Sequence, residues 1–431
     1  METHNGHPTR ATSWRRTNGR QLRLLSSLAV VASGLVPEIT VQGFDAAKVL
    51  AFSLGPVTVR PHTVFSEVYN DNVFYLPDNL NPIDDFITMF GAGASFSIGR
   101  EVTVNPWMDF FEEEANFITV DYNWVHLDYL DTSYLDADNH TVALRNRFRG
   151  NRLAVKGNDR LAMITGLVGG GTTYRQKVEQ LQINDNYLVE YNLSEKTRFY
   201  LNGSHNTSDY EKATPFYDIT TWRATTGFGH RPFSRTSVFG EFHYGQSLPD
   251  PNTEGMVKGP SMDFFGGYLG LQGRFTERLS GMIKGGYEVR SYSDGTDAED
   301  SPIMEVSLSH RFRNNTATTL SYSRQESLSA EYAGVLTTLD ALRLRVDQRF
   351  GGNGRFMASA TGSLNWSDYG DTPGLEGRKD ASYQINLELI YMIKVWMLAG
   401  FGYEFEMFDS TTQGIIDYDV NRVTLRMVIG Y

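Results

Sequence analysis

The last ten residues of the chain constrain its fold more than any other segment. Val423, Leu425, Met427, Ile429 and Tyr431 alternate with a second set that includes arginines and a threonine. A two-residue period predicts a β-strand with one apolar side. Outer-membrane β-barrels end on such a strand, which closes against the first strand and places its last aromatic in the interfacial girdle. A soluble β-sandwich can end similarly, so both fold classes stay open on this segment alone.

The composition excludes several classes of protein. The 431 residues contain no cysteine, which excludes disulfide frameworks and thiolate metal sites, and the net charge of -12 argues against a nucleic-acid partner. Beyond residue 50, no apolar run approaches the ~20 residues that a membrane helix needs. The mean hydropathy of -0.35 is nevertheless compatible with a membrane barrel, because apolar lipid-facing residues alternate with polar lumen-facing ones.

The N-terminal segment has the features of an export signal. Four arginines between residues 15 and 23 precede an apolar stretch from Leu24 to Val36, with small residues at Ala32 and Ser33. We therefore divide the chain into an export signal with a short disordered segment, 1–50, and one barrel domain, 51–431. The general secretory route is expected, since a barrel crosses the inner membrane unfolded. A short N-terminal anchor helix is the alternative interpretation.

The turns separate the two fold classes. Short turns such as Ser194–Thr197 and Phe275–Arg278 alternate with long loops such as Tyr292–Pro302 and Ser367–Asp380. Lysine and arginine collect at the short turns, whereas acidic residues collect in the long loops. This arrangement is typical of an up-and-down transmembrane antiparallel β-barrel with short periplasmic turns, and a sandwich gives no reason for it. Both termini are then expected in the periplasm.

The alternating stretches give a strand count of about 18. Twelve clear strands run from Thr197 to Tyr431, and six earlier strands are predicted near residues 56–69, 84–98, 117–131, 138–149, 152–164 and 177–193. The connection Glu101–Asn116 is the least regular part. A misassigned strand there would leave 16 strands, the alternative even number.

Several short segments, in their order and spacing, resemble the putative β-barrel porin 2 family of outer-membrane proteins. They are Tyr69–Phe74, Asp138–His140, Phe148–Leu153, Ser194–Thr197 and Phe275–Gly281. The resemblance implies an outer-membrane barrel with a porin-like role. Some members of the family are thought to serve polysaccharide export. The family supplies no catalytic residues.

Charged residues alternate with apolar ones on several predicted strands. A charge on the lipid face costs ~2–4 kcal/mol at the membrane midplane, so these side chains are expected to line the lumen. The predicted pore-lining residues are Arg145, Arg147, Arg149, Arg343, Arg345, Arg349, Glu241, Glu288, Glu305, Glu388, Glu404 and Glu406. Two interpretations stay open: a pore whose transverse field orders charged solutes, and a lumen braced by ion pairs that conducts little.

Two functions are therefore considered. The first is a porin-like channel for passive diffusion of small hydrophilic, charged solutes. The second is a non-conducting scaffold or adhesin that acts through its long acidic extracellular loops. Outer-membrane lipid, lipopolysaccharide, the barrel-assembly machinery and small solutes are the expected partners. No catalytic, cofactor or metal site is expected: Ser204 and His205 are neighbours that point to opposite faces, and the acidic segment Asp294–Asp300 lacks the spacing of a calcium loop.

Overall fold

The computed structural model describes most of the predicted barrel domain. The described residues are 51–99, 116–168, 176–211, 214–254, 256–295, 298–313, 315–330, 332, 334–351, 354–369, 377–394, 396–411 and 417–430. The predicted export signal, most of the connection Glu101–Asn116 and the terminal residue Tyr431 lie outside them.

The described chain consists almost entirely of β-strands. A short strand, β1 (Phe52–Leu54), precedes the long ones, and two 3-10 turns occur at Asp78–Leu80 and Ser133–Leu135. The long strands are β2 (Val57–Asn70), β3 (Asp85–Gly99), β4 (Phe117–Tyr129), β5 (Ala137–Arg149), β6 (Leu153–Val168), β7 (Gln176–Asn192), β8 (Thr197–Tyr210), β9 (Tyr217–His230), β10 (Thr236–Pro251), β11 (Met262–Arg274), β12 (Leu279–Tyr292), β13 (Glu299–Arg313), β14 (Thr316–Leu328), β15 (Leu336–Phe350), β16 (Phe356–Asp368), β17 (Lys379–Lys394), β18 (Met397–Ser410) and β19 (Tyr418–Ile429).

The long strands form a closed barrel. Each pairs antiparallel with its neighbours in sequence, and β19 pairs with β2 from Ile429↔Thr63 to Arg422↔Asn70. Within the described residues, closure leaves no long edge strand with unpaired backbone groups. The predicted antiparallel barrel of 18 strands is confirmed, and the alternative of 16 is wrong. The uncertain N-terminal part supplies β2 to β7, of which β6 is longer than predicted because its register with β7 continues to Val168↔Gln176.

The connections differ at the two ends of the barrel. At one end, short turns such as residues 193–196 and 275–278 join consecutive strands. At the other, longer connections such as residues 71–84, 252–261 and 329–335 do so. We call these the short-turn end and the long-loop end. Among the described residues, no helix is long and apolar enough to cross a membrane.

The register separates the residues of the barrel into two faces. Nε2 of His243 on β10 lies 2.7 Å from Oε2 of Glu288 on β12, although β11 separates the two strands. Side chains two strands apart converge only on the concave side of a curved sheet, so this is the inner face. The opposite, outer face carries exposed apolar side chains, among them Leu344, Phe401 and Leu425.

Candidate functional site: the inner face and the long-loop end

Three of the predicted pore-lining arginines, Arg145, Arg147 and Arg149, form a first ladder on β5. Arg145 is paired in register with Thr119 and Asn158, and Arg147 and Arg149 have the same parity. The side chain of Arg145 is 44% exposed, and its guanidinium donates to Asp121 at 2.7 Å. Arg147 is buried. The three residues therefore share the inner face, but only part of the ladder is open to solvent.

The second predicted ladder lies on β15 and is more open. Arg343 and Arg345 share the inner face with Arg349, and the first two are exposed. Arg345 remains 46% exposed at its side chain although it bonds Asp347 on its own strand at 2.9 Å. Arg343 donates to the hydroxyl of Ser363 at 3.3 Å. Small hydroxyl side chains on the flanking strands leave these guanidiniums accessible from the lumen.

Glu288 is the centre of a buried charge cluster, not an open lumen acid. Its side chain is 4% exposed and accepts from Arg290 at 2.8 Å and Arg223 at 3.3 Å, in addition to its contact with His243. Arg290 also pairs with Glu326 on β14. Desolvated carboxylates and guanidiniums are stable together only when each has partners, and this cluster supplies them.

Glu241 and Glu305 are bridged by a lysine that the sequence prediction did not include. Nζ of Lys284 lies 3.3 Å from Glu241 and 3.0 Å from Glu305, and it sits 4.4 Å from the ring centroid of Tyr268. Tyr200 donates its hydroxyl to Glu241 at 2.8 Å. This network crosses the inner face from β8 to β13.

The remaining predicted acids meet arginines of the C-terminal strand. Glu404 and Glu406 both pair with the buried Arg422, the latter at 3.3 Å. Glu388 lies 3.4 Å from Arg426 and is the most exposed of these acids at 35%. The polar face of β19 therefore neutralises the acids of β17 and β18.

Glycines on the inner face provide the room for contacts between strands two apart. A Cβ atom at Gly266 would approach backbone atoms of Tyr287 and Glu288 and the ring of His243. One at Gly227 would enter the ring of Tyr200, which passes over it towards Glu241. Their lack of a side chain is what lets these partners approach.

Other inner-face pairs were also missed. Glu190 on β7 is buried between Lys156 at 2.6 Å and Arg198 at 3.1 Å, and Asp121 accepts from Ser95 as well as from Arg145. The alternation of each strand marks these residues as inward-facing. Their partners depend on the register between strands, which alternation alone does not give.

The two arginine ladders lie on opposite sides of the barrel. In a closed sheet of 18 strands, β5 and β15 are 15 − 5 = 10 strands apart in one direction and 18 − 10 = 8 in the other. The accessible guanidiniums of Arg145, Arg343 and Arg345 therefore project from two facing walls. The acids Glu241 and Glu288 are buried within their own clusters.

The connection between β2 and β3 packs against the inner face at the long-loop end. Tyr75, in this connection, is buried and accepts a hydrogen bond from Arg422 at 2.7 Å, and its ring contacts that of Tyr418. Asn72 donates to the backbone oxygen of Asp419 at 3.0 Å. Tyr75 has a φ of 55°, which costs a non-glycine residue roughly 1–2 kcal/mol, so these contacts hold it there.

Two described residues of a second connection, between β14 and β15, link distant parts of the wall at the same end. The backbone N–H of Tyr217 on β9 donates to Ala330 at 2.8 Å, and Arg378 donates to the hydroxyl of Tyr332 at 3.1 Å. Arg378 is buried over the ring of Tyr369 and bonds Asp380. Burial alone would lower the pKa of Arg378, but the hydrogen bonds to Asp380 outweigh it and raise that pKa, so the guanidinium stays charged.

Among the described residues, no group of three or more histidine, aspartate or glutamate side chains could hold a metal ion. The candidate site consists of the charged inner face and the loops at one mouth.

Comparison with known proteins supports the family resemblance over the C-terminal part of the chain. Residues 235–431 match the family model described as Putative beta-barrel porin 2, which confirms the predicted resemblance for that part. No curated protein matches the chain.

The chain is also similar to several solved outer-membrane structures. It is 12% identical to OpdK of Pseudomonas aeruginosa, with 86% of this chain and 99% of that chain covered and a TM-score of 0.43. For OccK3 of the same organism the identity is 15%, the coverage 86% and 96%, and the TM-score 0.44. For OccAB4 of Acinetobacter baumannii the identity is 10%, the coverage is 88% of this chain and 99% of that chain, and the TM-score is 0.44.

Proposed function

We propose, with the porin-family match of residues 235–431 as a premise, that this chain is a passive outer-membrane channel that favours small anions. A closed barrel of 18 strands is wide enough to enclose an aqueous channel. The exposed apolar side chains of its outer face and the charged side chains of its inner face suit a barrel surrounded by lipid and filled with water.

Such a location carries further expectations. The arginine-rich segment followed by the apolar stretch Leu24–Val36 supports export by the secretory route. An outer-membrane barrel depends on the barrel-assembly machinery for insertion and meets lipopolysaccharide around its outer half. The long-loop end then faces the outside, and the short-turn end faces the periplasm.

The preference for anions follows from which inner-face charges are accessible. The guanidiniums of Arg145, Arg343 and Arg345 are exposed on facing walls, whereas Glu241 and Glu288 are buried against cationic partners. A solute in the lumen therefore meets more accessible positive than negative groups. Guanidinium groups bind carboxylates and phosphates in a bidentate geometry, so small organic anions of these classes are the proposed solutes.

Solute flux into proteoliposomes tests this proposal. Vesicles with the folded protein should admit a small dicarboxylate faster than a neutral sugar of similar size. Substituting Arg343 and Arg345 together with alanine should remove most of that preference, whereas the matched lysine substitutions, which keep the charge, should retain it. Equal rates for both solutes in the wild type would refute the anion preference.

The alternative function rests on the loops at the mouth. Ala330 bonds β9 and Tyr332 bonds Arg378, so the connection between β14 and β15 would close the barrel and leave a scaffold whose acidic loops bind partners. A role in polysaccharide export predicts a third result, namely flux of a neutral oligosaccharide that does not depend on Arg343. The same flux assay separates the three functions. Absence of flux for every solute would support the scaffold.

A further inference from the structure

The wall of the barrel is incomplete between β13 and β14 at the long-loop end. The register between these two strands ends at Met304↔Arg324. Residues 299–303 continue β13 but pair only with β12, and residues 325–328 continue β14 but pair only with β15. Among the described residues, each of these two strand segments therefore has one edge without a partner strand.

The end of β14 lies inside the barrel instead of in its wall. By alternation, Glu326 and Leu328 belong to the outer set of β14, because the odd-numbered residues of this strand form the inner set. Glu326 nevertheless pairs with Arg290, and Leu328 packs in one buried cluster with Met262 and Phe264. These partners lie on the inner face of β11 and β12. The end of β14 has therefore moved behind the wall, and its outer set now contacts the inner face.

The displaced end of the β14–β15 hairpin crosses part of the mouth. The two strands stay paired with each other along this end, so it forms one two-stranded unit. The backbone oxygen of Ala330 accepts from the N–H of Tyr217 at 2.8 Å, although β9 is 14 − 9 = 5 strands away from β14. A contact between strands so far apart spans the lumen. We call residues 325–330 and 334–337 the folded-in hairpin.

The vacant place beside β13 fits the folded-in hairpin in register. Continuing the existing register places Ser301 opposite Ser327 and Pro302 opposite Glu326, without an insertion and with no like charges directly opposite each other. Pro302 has no N–H to donate, and proline in a sheet is confined to edges of this kind. A ladder in the wall therefore lacks one donor, which favours the folded-in position that the structure shows.

We propose that the folded-in hairpin is a lid with two positions: the observed one against β11 and β12, and a second one in the wall beside β13. The observed position narrows the mouth, and the second position opens it. The proposal rests on the proposed channel function, which it extends to the control of that channel.

The ion pair between Arg290 and Glu326 anchors the lid in the observed position. Both side chains are buried, so their attraction is little screened by water. When the lid leaves, Arg290 keeps the carboxylate of Glu288 at 2.8 Å and the hydroxyl of Ser301 at 3.1 Å as partners. Opening therefore does not leave an unpaired charge buried in the wall, which is the usual cost of breaking such a pair.

Two matched pairs of serines on β13 and β14 test the lid, because the chain has no cysteine. Ser301→Cys with Ser327→Cys joins positions that are opposite each other only when the lid is in the wall. In the observed position Glu326 faces the inner wall, so alternation points Ser327 away from it. Ser307→Cys with Ser321→Cys is the control, since these two serines are already paired in register.

Both pairs should form disulfides in intact membranes, the control pair faster. The disulfide at 301 and 327 should raise the single-channel conductance roughly twofold, because it holds the mouth open, and a reducing agent should reverse the change. The control disulfide should leave the conductance unchanged. Adding Glu326→Gln should speed the formation of the disulfide at 301 and 327 roughly tenfold, because a weaker anchor shifts the population towards the wall position.

Disulfide formation is read from the mass that a maleimide adds to the remaining thiols, so it needs no current and separates the lid from the channel. If the control pair oxidises while the pair at 301 and 327 stays reduced, the lid is overturned whatever the barrel conducts. A disulfide there that leaves the conductance of an open channel unchanged would also overturn it. A folded barrel that forms this disulfide but stays silent in both redox states would refute the channel, although the hairpin would still have two positions.

Discussion

Neutralising Glu288 tests the buried charge cluster of the inner face. Glu288→Gln removes one negative charge from a side chain that is 4% exposed and bonded to Arg223, His243 and Arg290. Breaking a buried ion pair by removing one partner costs roughly 3–5 kcal/mol, because the other charge stays desolvated. Glu326 still pairs with Arg290, so we expect the lower end, about 3 kcal/mol.

Glu388→Gln is the matched control on the same face. Glu388 is 35% exposed and lies 3.4 Å from Arg426, and pairs of this kind contribute roughly 0–1 kcal/mol. Urea unfolding in lipid vesicles, followed by tryptophan fluorescence, measures the free energy of unfolding of both variants. This free energy falls by about 1–3 kcal/mol per M of urea, so the unfolding midpoint of the Glu288 variant should fall by roughly 1–3 M urea. Equal midpoints for the two variants would refute the assignment of Glu288 to a buried cluster.

Two further variants test the glycine contacts and the loop at the mouth. Gly227→Ala should lower the thermal midpoint of heat-modifiable migration, because its methyl group would enter the ring of Tyr200, whereas Gly203→Ala, with open space around it, should leave the midpoint unchanged. Arg378→Ala should release Tyr332 and increase both protease cleavage of residues 329–335 and open-channel noise. An unchanged cleavage rate, or equal midpoints for the two glycine variants, would contradict these contacts.

Alternation within each strand was sufficient to predict the barrel, and it divides the residues of β15 into a charged set and an apolar set. Arg343, Arg345 and Arg349 alternate with Leu342, Leu344 and Val346, and the register places each set on its own face. Successive side chains point to opposite faces because of the backbone geometry of a single strand, so the face that each residue shares can be read from sequence. That these arginines line a conducting pore stays a prediction.

The partners of each charge depend on geometry between strands. The sequence predicted only that the acids share the lumen with the arginines. Glu288 pairs with Arg290 on its own strand. Across an intervening strand, Glu288 also pairs with His243, and Glu241 pairs with Lys284. These contacts require glycines such as Gly266 on the intervening strand and a fixed register.

The loops were the least predictable part. Nothing local in the sequence indicates that Tyr75 inserts against Arg422, or that Arg378 holds Tyr332, because these residues are separated by 347 and 46 positions. Such contacts form only once closure of the barrel has brought the long loops to one mouth.

Single-channel recording in a planar bilayer across a potassium chloride gradient tests the central claim most directly. The folded wild-type barrel should give discrete open steps, and its reversal potential should have the sign of an anion-selective pore. Substitution of Arg343 and Arg345 by alanine should move that potential towards zero. A heat-modifiable, membrane-inserted barrel that stays silent, or that conducts with cation selectivity, would contradict a channel governed by accessible arginines.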